Sequence, residues 1–211
     1  MKVLGILGSP RKGGNTEILL NRTLEAASKD GANVELIRLS DKRISPCNGC
    51  NACMMTGDCS IQDDMQDISV KIQEANGLVF ATPVYAWTMT GQMKVFLDRT
   101  YALSFKRENM AGKVGGSIVV GGRQGHQLTQ SLFYLYFSSA HWIAADWVNG
   151  FAWGKGEILK DKHAMQAAYE LGEQIVLLIK QGFKFPEKYD QPIYRHVFKE
   201  YKISLNPCNQ G

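Results

Sequence analysis

Short apolar runs alternate with amphipathic segments along the first 180 or so residues, and this alternation predicts strands and helices in turn. The predicted strands are Val3–Leu7, Asn33–Leu39, Gly77–Ala81, Val114–Val120 and Trp142–Val148. The predicted helices are Glu17–Ser28, one that begins at Asp63, one that begins at Gly91, Leu128–Phe137 and Lys162–Lys180. Strands that alternate with helices in this way pair in parallel through right-handed crossovers. The pattern therefore predicts an α/β protein with a doubly wound, five-stranded parallel sheet.

The composition narrows the class of protein. A chain of 211 residues with 45% hydrophobic and 21% charged residues is typical of one globular domain, which we place at residues 1–181. Residues 182–211 are predicted to be a tail that packs on this domain or on a neighbouring subunit. The net charge of +4 has no basic run behind it, so nucleic acid is not an expected partner, and no apolar run approaches the roughly 18 residues of a membrane span, so a membrane is not expected either. With no visible signal peptide, the cytoplasm is the expected location.

The loop after the first predicted strand has the composition of an anion site. It reads Ser9-Pro10-Arg11-Lys12-Gly13-Gly14-Asn15-Thr16 and leads into a helix, for which Asn15 or Thr16 is the expected N-cap. Backbone N–H groups at a helix N-terminus bind anions, and here hydroxyl and cationic side chains stand beside them. The loop lacks the spacing of a P-loop or of a dinucleotide fingerprint. It suits a terminal phosphomonoester such as that of FMN, the alternative being an ordinary polar turn.

Two further strand ends carry loops of the kind that bind ligands. Thr82-Pro83-Val84-Tyr85-Ala86-Trp87 follows the third strand, and Gly121-Gly122-Arg123-Gln124-Gly125 follows the fourth. The carboxyl ends of parallel strands meet at one edge of the sheet, which is where such folds bind ligands. Tyr85 and Trp87 could stack on a planar heterocycle there, or could simply cover the loop.

Four of the five cysteines lie within the long connection after the second strand, at residues 40–62. Cys47, Cys50, Cys53 and Cys59 have the spacing C-x2-C-x2-C-x5-C, and Gly49 and Gly57 let the backbone curl around them. Three readings of this segment stay open on the residues alone. A cubane iron–sulfur cluster takes four thiolates, a structural zinc usually takes two separated pairs, and disulfides require an oxidising compartment.

Other residues are expected to play no part in the chemistry. Asp63 and Asp64 are predicted to cap the helix that they begin, and Arg99 to lie on the surface or at a subunit contact. Cys208 stands far from the other thiols and is interpreted as a bystander. The four histidines are scattered, so none of them reads as a metal ligand.

Several motifs in the right order resemble one family. They are Gly8-Ser9-Pro10-Arg11 with Gly14-Asn15-Thr16, Thr82-Pro83-Val84-Tyr85, and Gly91-Gln92-Met93-Lys94 with Phe96-Leu97-Asp98-Arg99. Together they resemble the flavodoxin-like NAD(P)H-dependent FMN reductase superfamily over roughly residues 1 to 180. The run from Pro46-Cys47 to Cys59, followed by Asp63-Asp64-Met65, resembles its iron–sulfur flavoprotein branch.

The resemblance implies a flavodoxin-like sheet of strand order 2-1-3-4-5, with the cysteine-rich insertion after strand 2. It further implies FMN at the carboxyl edge of that sheet and a [4Fe–4S] cluster on Cys47, Cys50, Cys53 and Cys59. The implied FMN residues are Ser9, Pro10, Arg11, Asn15, Thr16, Pro83, Val84, Tyr85, Trp87, Gly122 and Arg123. Members of the branch assemble as dimers or tetramers. Here the loop after Arg123 departs from its relatives, which often have a second glycine before Gln124.

The function that follows is electron transfer between FMN and the cluster. Ferredoxin or NAD(P)H is the expected donor, and a small molecule or an oxygen species the expected acceptor. The alternatives are an NAD(P)H-dependent FMN or quinone reductase whose cysteine loop is structural or binds zinc, and a flavin-binding regulator without turnover.

Overall fold

The computed structural model describes residues 1–105 and 110–186, so the predictions for Cys208 and for the tail beyond residue 186 lie outside the described part. The strands are β1 Lys2–Leu7, β2 Asn33–Arg38, β3 Gly77–Pro83, β4 Val114–Gly121 and β5 Ile143–Phe151. The helices are α1 Asn15–Lys29, α2 Ala52–Thr56, α3 Met65–Glu74, α4 Gly91–Arg99, α5 His126–Ser139 and α6 Lys162–Gln181. None of the described helices combines the length and the apolarity needed to cross a bilayer.

The five strands form one sheet in the order β2-β1-β3-β4-β5, and every neighbouring pair is parallel. β1 is hydrogen-bonded to β2 on one side and to β3 on the other. The predicted order 2-1-3-4-5 is therefore confirmed. Because all the strands run the same way, the loops that follow them lie at one edge of the sheet.

Helices cover both faces of the sheet and enclose two apolar layers. On one face α1 and α6 pack through side chains such as Leu20, Leu24 and Leu171. On the other face α3, α4 and α5 contribute Ile68, Phe96 and Phe133. A strand that is buried on both faces reads as a continuous apolar run, which explains why β3 and β4 were predictable from sequence.

The two helices of the first face approach each other closely. Thr23 Oγ1 of α1 donates a hydrogen bond to the carbonyl of Ala168 in α6 at 2.7 Å. A Cβ atom on Gly172 would lie 2.2 Å from the carbonyl oxygen of Thr23. The contact between α1 and α6 therefore requires glycine at position 172.

Two differences from the predicted elements bear on the site. α1 begins at Asn15 with Gly14 as its N-cap, so the N-cap prediction of Asn15 or Thr16 is wrong. β5 runs to Phe151, three residues beyond the predicted end at Val148, and carries the chain to the ligand edge of the sheet. The long connection between β2 and α3 is present and contains the one-turn helix α2.

Candidate functional site

Hydrogen bonds tie the loops at the carboxyl edge into one surface. Thr90, which caps α4, donates its hydroxyl to the carbonyl of Gly8 at 2.7 Å, so the loops after β1 and β3 are joined. The N–H of Val84 donates to Val120 O at 2.8 Å and joins the loop after β3 to the end of β4. The three loops predicted to bind a ligand are therefore adjacent.

The loop after β1 is shaped for an anion. Ser9 is buried, and its Oγ accepts the N–H of Arg11 at 3.2 Å. Gly13 has a φ of +64°, which favours glycine, and Pro10, Arg11 and Lys12 are exposed. The N-terminus of α1 has no side-chain cap. An uncapped helix N-terminus leaves N–H groups that a phosphate can accept from.

A partly buried ion pair fixes the shape of this loop. Glu17 is 4% exposed, accepts the N–H of Gly13 at 2.8 Å and pairs with Arg38 at the end of β2. Burial alone would raise the pKa of Glu17, but the hydrogen bonds from Arg38 and Gly13 lower it overall. Glu17 therefore stays ionised and holds Gly13 without occupying the loop.

The side chain of Asn15 holds a fourth loop, the β5–α6 connection, against the loop after β1, which we call the anion loop (residues 8–14). Its Nδ2 donates to Gly154 O at 2.8 Å, and its Oδ1 accepts the N–H of Gly156 at 2.8 Å. This brings Lys155 over the anion loop, because a Cβ on Gly13 would lie 3.7 Å from Lys155 Nζ. Asn15 thus positions neighbouring residues, while Thr16 is buried in the first turn of α1.

The segment from Trp153 to Lys155 is a part of the site that sequence reasoning missed. A Cβ on Gly122 would lie 2.2 Å from the indole ring of Trp153, so this ring covers Gly122. Trp153 is itself 74% exposed and so faces solvent at the ligand edge. The signal that could have found it is the aromatic and basic content of the β5–α6 connection, at the same edge as the other loops.

The loop after β3, residues 82–87, has a strained backbone, and we call it the aromatic loop. Ala86 and Trp87 have φ values of +44° and +80°, between the two hydrogen bonds that join Tyr85 and Thr88. Non-glycine residues in the left-handed region are costly and cluster at functional sites. Tyr85 and Trp87 are exposed as a result, while Pro83 and Val84 are half-buried below them.

The loop after β4 completes the edge. Gly125 has a φ of +92°, and a Cβ there would lie 2.6 Å from the carbonyl oxygen of Trp87. The aromatic loop and the Gly122–Gly125 loop are thus in contact. Gly122 is half-buried under Trp153, and Arg123 is exposed.

The segment that carries the four cysteines, residues 47–59, has the curled backbone that was expected, and we call it the cysteine segment. Gly49 and Gly57 have φ values of +70° and +77°, and Asn51 is also left-handed. All four thiols are free: Cys47 is exposed, and the other three are half-buried. Cys50 Sγ lies 3.2 Å from the hydroxyl of Ser60, which lowers the pKa of the Cys50 thiol.

The four thiols share one region of the protein. The pKa of Cys53 is raised first by burial and then by the charges of Cys59, Cys50 and Cys47. Within residues 1–105 and 110–186, no three His, Cys, Asp or Glu side chains stand close enough to hold a single metal ion. A four-iron cluster takes one thiolate per iron, so its ligands surround a volume instead of converging on a point. The donor set fits such a group in number and in chemistry.

Both ends of the cysteine segment are held at a narrow neck. The carboxylate of Asp64 accepts the N–H of Arg43 at 2.7 Å, and that of Asp63 accepts the N–H of Ser45 at 2.8 Å. Asp63 also accepts the N–H of Met65 at 3.0 Å, as a helix cap would, but Asp64 makes no capping bond. The expectation that the pair serves mainly as caps is therefore incomplete.

Arg99 closes the neck from below, and its predicted surface position is wrong. The residue is 2% exposed, and its guanidinium pairs with Asp63 at 2.6 Å. The apolar spacing of α4 did not reveal this, because the element that covers Arg99 is the distant cysteine segment.

Comparison with known proteins agrees with this architecture. Residues 1–154 match the family described as NADPH-dependent FMN reductase. An iron–sulfur flavoprotein of Methanocaldococcus jannaschii is 35% identical over 85% of this chain and 98% of its own. One from Archaeoglobus fulgidus is 42% identical over 57% of this chain and 54% of its own.

Among solved structures, the Trp repressor binding protein from Bacillus subtilis superposes with a TM-score of 0.63 at 28% identity. The match covers 80% of this chain and 99% of that one. The sheet order, the adjacent loops at its carboxyl edge and these matches lead to one conclusion. This chain belongs to the NADPH-dependent FMN reductase family, as an FMN-dependent oxidoreductase similar to the iron–sulfur flavoproteins.

Proposed function

We propose that this protein transfers electrons between FMN and a [4Fe–4S] cluster that is held by Cys47, Cys50, Cys53 and Cys59. The observation that carries the proposal is a curled segment with four free thiols, closed at its neck by the hydrogen bonds of Asp63 and Asp64. The names of the relatives at 35% and 42% identity support it. FMN exchanges one or two electrons and a cluster exchanges one, so the pair would link the two kinds of chemistry.

In this proposal the loop after β1 binds the phosphate of FMN. Ser9, Arg11 and Thr16 supply hydroxyl and guanidinium donors beside the uncapped N-terminus of α1. Asn15 acts indirectly, because both polar atoms of its side chain are bonded to the β5–α6 connection. We add Lys155 to the phosphate site, since its ammonium group lies next to Gly13.

The isoalloxazine would lie along the other two loops. Pro83 and Val84 form the floor, and the exposed rings of Tyr85 and Trp87 offer stacking surfaces. Gly122 has no side chain, which lets the ring of Trp153 lie against it, and the exposed Arg123 would offer a cation to the pyrimidine end. These residues would bind and orient the ring, and no side-chain acid or base is needed for electron transfer itself.

The donor would be ferredoxin or NAD(P)H, and the acceptor a small molecule or an oxygen species. The loops at the sheet edge leave the site open to solvent, and Tyr85 and Trp87 are 41% and 63% exposed. A homodimer or homotetramer is the expected assembly. Stopped-flow reduction by NADPH and by reduced ferredoxin, side by side, identifies the donor.

The test of the proposed function is anaerobic purification, followed by assays of iron, sulfide and FMN and by the visible spectrum. The unsubstituted protein is expected to contain iron and sulfide in equal amounts together with FMN. Cys50→Ser is expected to lose the iron and keep the FMN, because the thiol lies on the cysteine segment and not on the FMN loops.

Cys208→Ser is the matched control and is expected to keep both cofactors. A protein that contains FMN but neither iron nor sulfide would contradict the proposal. Stoichiometric zinc in its place would favour the alternative of an NAD(P)H-dependent FMN or quinone reductase, for which the match to the NADPH-dependent family is the supporting observation.

A further inference from the structure

Arg99 is the fully buried cation at the neck of the cysteine segment, with a side-chain exposure of 0%. Its Nη1 donates to Ser45 O at 2.8 Å and to Asp63 Oδ2 at 2.6 Å. Its Nη2 donates to Ile61 O at 3.2 Å and to Asp63 Oδ1 at 3.1 Å. This guanidinium therefore links Ser45, just before the cysteine segment, to Ile61 and Asp63, just after it.

The guanidinium lies close in the chain to the last cysteine, because Ile61, whose carbonyl oxygen it binds, follows Cys59 by two residues. Burial alone would lower the pKa of Arg99, but the hydrogen bonds and the charge of Asp63 raise it overall. Arg99 Nε is buried and makes no hydrogen bond within the described residues. Burying a cation is costly, and in this neck one carboxylate, that of Asp63, offsets it. The electrostatic field of the Arg99–Asp63 pair would then act on a metal cluster bound by the four thiolates.

The position of Arg99 connects the two ends of α4. Its helix begins at Gly91, directly after the aromatic loop, and ends at Arg99 against the cysteine segment. At about 1.5 Å per residue, its nine residues span roughly 13 Å. The chain thus places a fixed positive charge at the neck of the cysteine segment, at the end of a helix that starts after the aromatic loop.

We propose that Arg99 is a positioning residue that sets the reduction potential of the cluster bound to the four cysteines, an inference that rests on the proposed function. Reduction adds one electron, and hence one negative charge, to a site already negative from its thiolates. A buried cation stabilises the more negative state, so Arg99 raises the potential. Asp63 opposes this effect, and the balance between the two charges sets its size.

The test uses two variants whose predicted effects have opposite signs. Arg99→Met keeps the length of the side chain and removes the charge. It is expected to lower the equilibrium constant for one-electron reduction at least about tenfold, which is 59 mV for a one-electron couple. Asp63→Asn keeps the shape, removes the opposing charge and is expected to raise the constant. The measurement is a redox titration of the holoprotein followed by electron paramagnetic resonance, with iron, sulfide and FMN assayed in each sample.

Two further variants distinguish an effect of the Arg99 charge on the reduction potential from a structural effect of its hydrogen bonds. Arg22→Met is the matched control, because Arg22 lies on α1, across the sheet, in a partly exposed pair with Glu25, and its loss is expected to change nothing. Arg99→Lys keeps the charge but loses the fork of donors. It is expected to keep the equilibrium constant within about threefold while losing cluster faster on dilution.

The outcomes are distinct. Opposite shifts in the Met and Asn variants support the proposal, and shifts of the same sign, or none, overturn it. If Arg99→Met takes up no iron, the other two variants decide. An unchanged equilibrium constant in Asp63→Asn, or a drop of about tenfold in that constant in Arg99→Lys, overturns the proposal. A lack of iron and sulfide in the unsubstituted protein is a failure of the proposed function itself, and is seen before any potential is measured.

Discussion

At the scale of single residues, some side chains of the anion loop hold its shape, and others offer charge to a ligand. Glu17 and Asn15 have their polar atoms bonded to Gly13, Arg38 and the Gly154–Gly156 turn, so they hold the shape of the loop. The exposed cations around the loop, Arg11 and Lys155 among them, have charge to offer a ligand. A residue that a sequence motif makes conspicuous, such as Asn15, can thus hold a neighbouring loop in place.

Lys155 gives this distinction a direct test. Lys155→Met is expected to weaken FMN binding about tenfold, because a charge-assisted contact to phosphate contributes on the order of 1.5 kcal/mol. Binding of riboflavin, which lacks the phosphate, is expected to stay unchanged. Fluorescence titration of the metal-free apoprotein with both ligands measures the two affinities.

Lys160→Met is the matched control, since Lys160 is exposed in the same β5–α6 connection but, among the described residues, only Lys155 comes within 4 Å of a Cβ on Gly13. It is expected to bind FMN as the unsubstituted protein does. An equal loss of FMN and riboflavin affinity in the Lys155 variant would show that the side chain supports the loop and does not bind phosphate.

At the scale of elements, the contact between α1 and α6 supports the site from beneath. α1 carries Asn15 and Glu17 at its start, and α6 follows directly after the connection that Asn15 holds. The two helices meet where Gly172 faces the carbonyl oxygen of Thr23. The geometry of the anion loop therefore depends on how closely these helices pack.

Gly172→Ala is expected to destabilise the fold by about 1–3 kcal/mol, because the added methyl group has no space. Gly91→Ala makes the same change at a helix start where no atom lies within 4 Å of the new Cβ, and is expected to be neutral or slightly stabilising. Urea denaturation of both apoproteins compares them. Equal stability of the two variants would refute the close helix contact.

The helix α4 shows where the reading of an element from sequence fails. Its apolar positions predicted a helix from Gly91, and Met93 and Phe96 are buried as that pattern requires. The pattern placed Arg99 outside, although it is buried under residues 45–63. A periodicity of one helix carries no information about a distant insertion that folds over its end.

At the scale of the whole molecule, the sheet was predictable because each of its strands has a local signature. β3 is buried along nearly its whole length and stands out as an apolar run, and alternation with helices then fixes parallel pairing. The three candidate loops followed from the rule that ligands bind at the carboxyl edge. The contribution of Trp153 and Lys155 did not follow. It depends on a hydrogen bond between Asn15 and Gly154, 139 positions apart in the chain.

The neck of the cysteine segment has a consequence for the whole molecule. Arg43 and Asp64 are joined by two hydrogen bonds, of 2.7 and 3.1 Å, and Ser45 is bonded to Asp63 beside them. The entering and leaving chains are therefore already paired, in the manner of a hairpin, before any thiol is reached. Replacing residues 46–60 by a two-residue Asn-Gly turn should leave this pairing intact.

Such a shortened protein is expected to bind one FMN per chain, to take up no iron and to change in stability by less than about 1 kcal/mol, the scale of loop-closure entropy. Flavin stoichiometry and urea denaturation measure both quantities, with Cys50→Ser as the full-length comparison. Loss of flavin binding on excision alone would contradict the expectation. The cysteine segment would then be a separable insertion, which a flavin-binding chain could acquire or discard without rebuilding the fold beneath it.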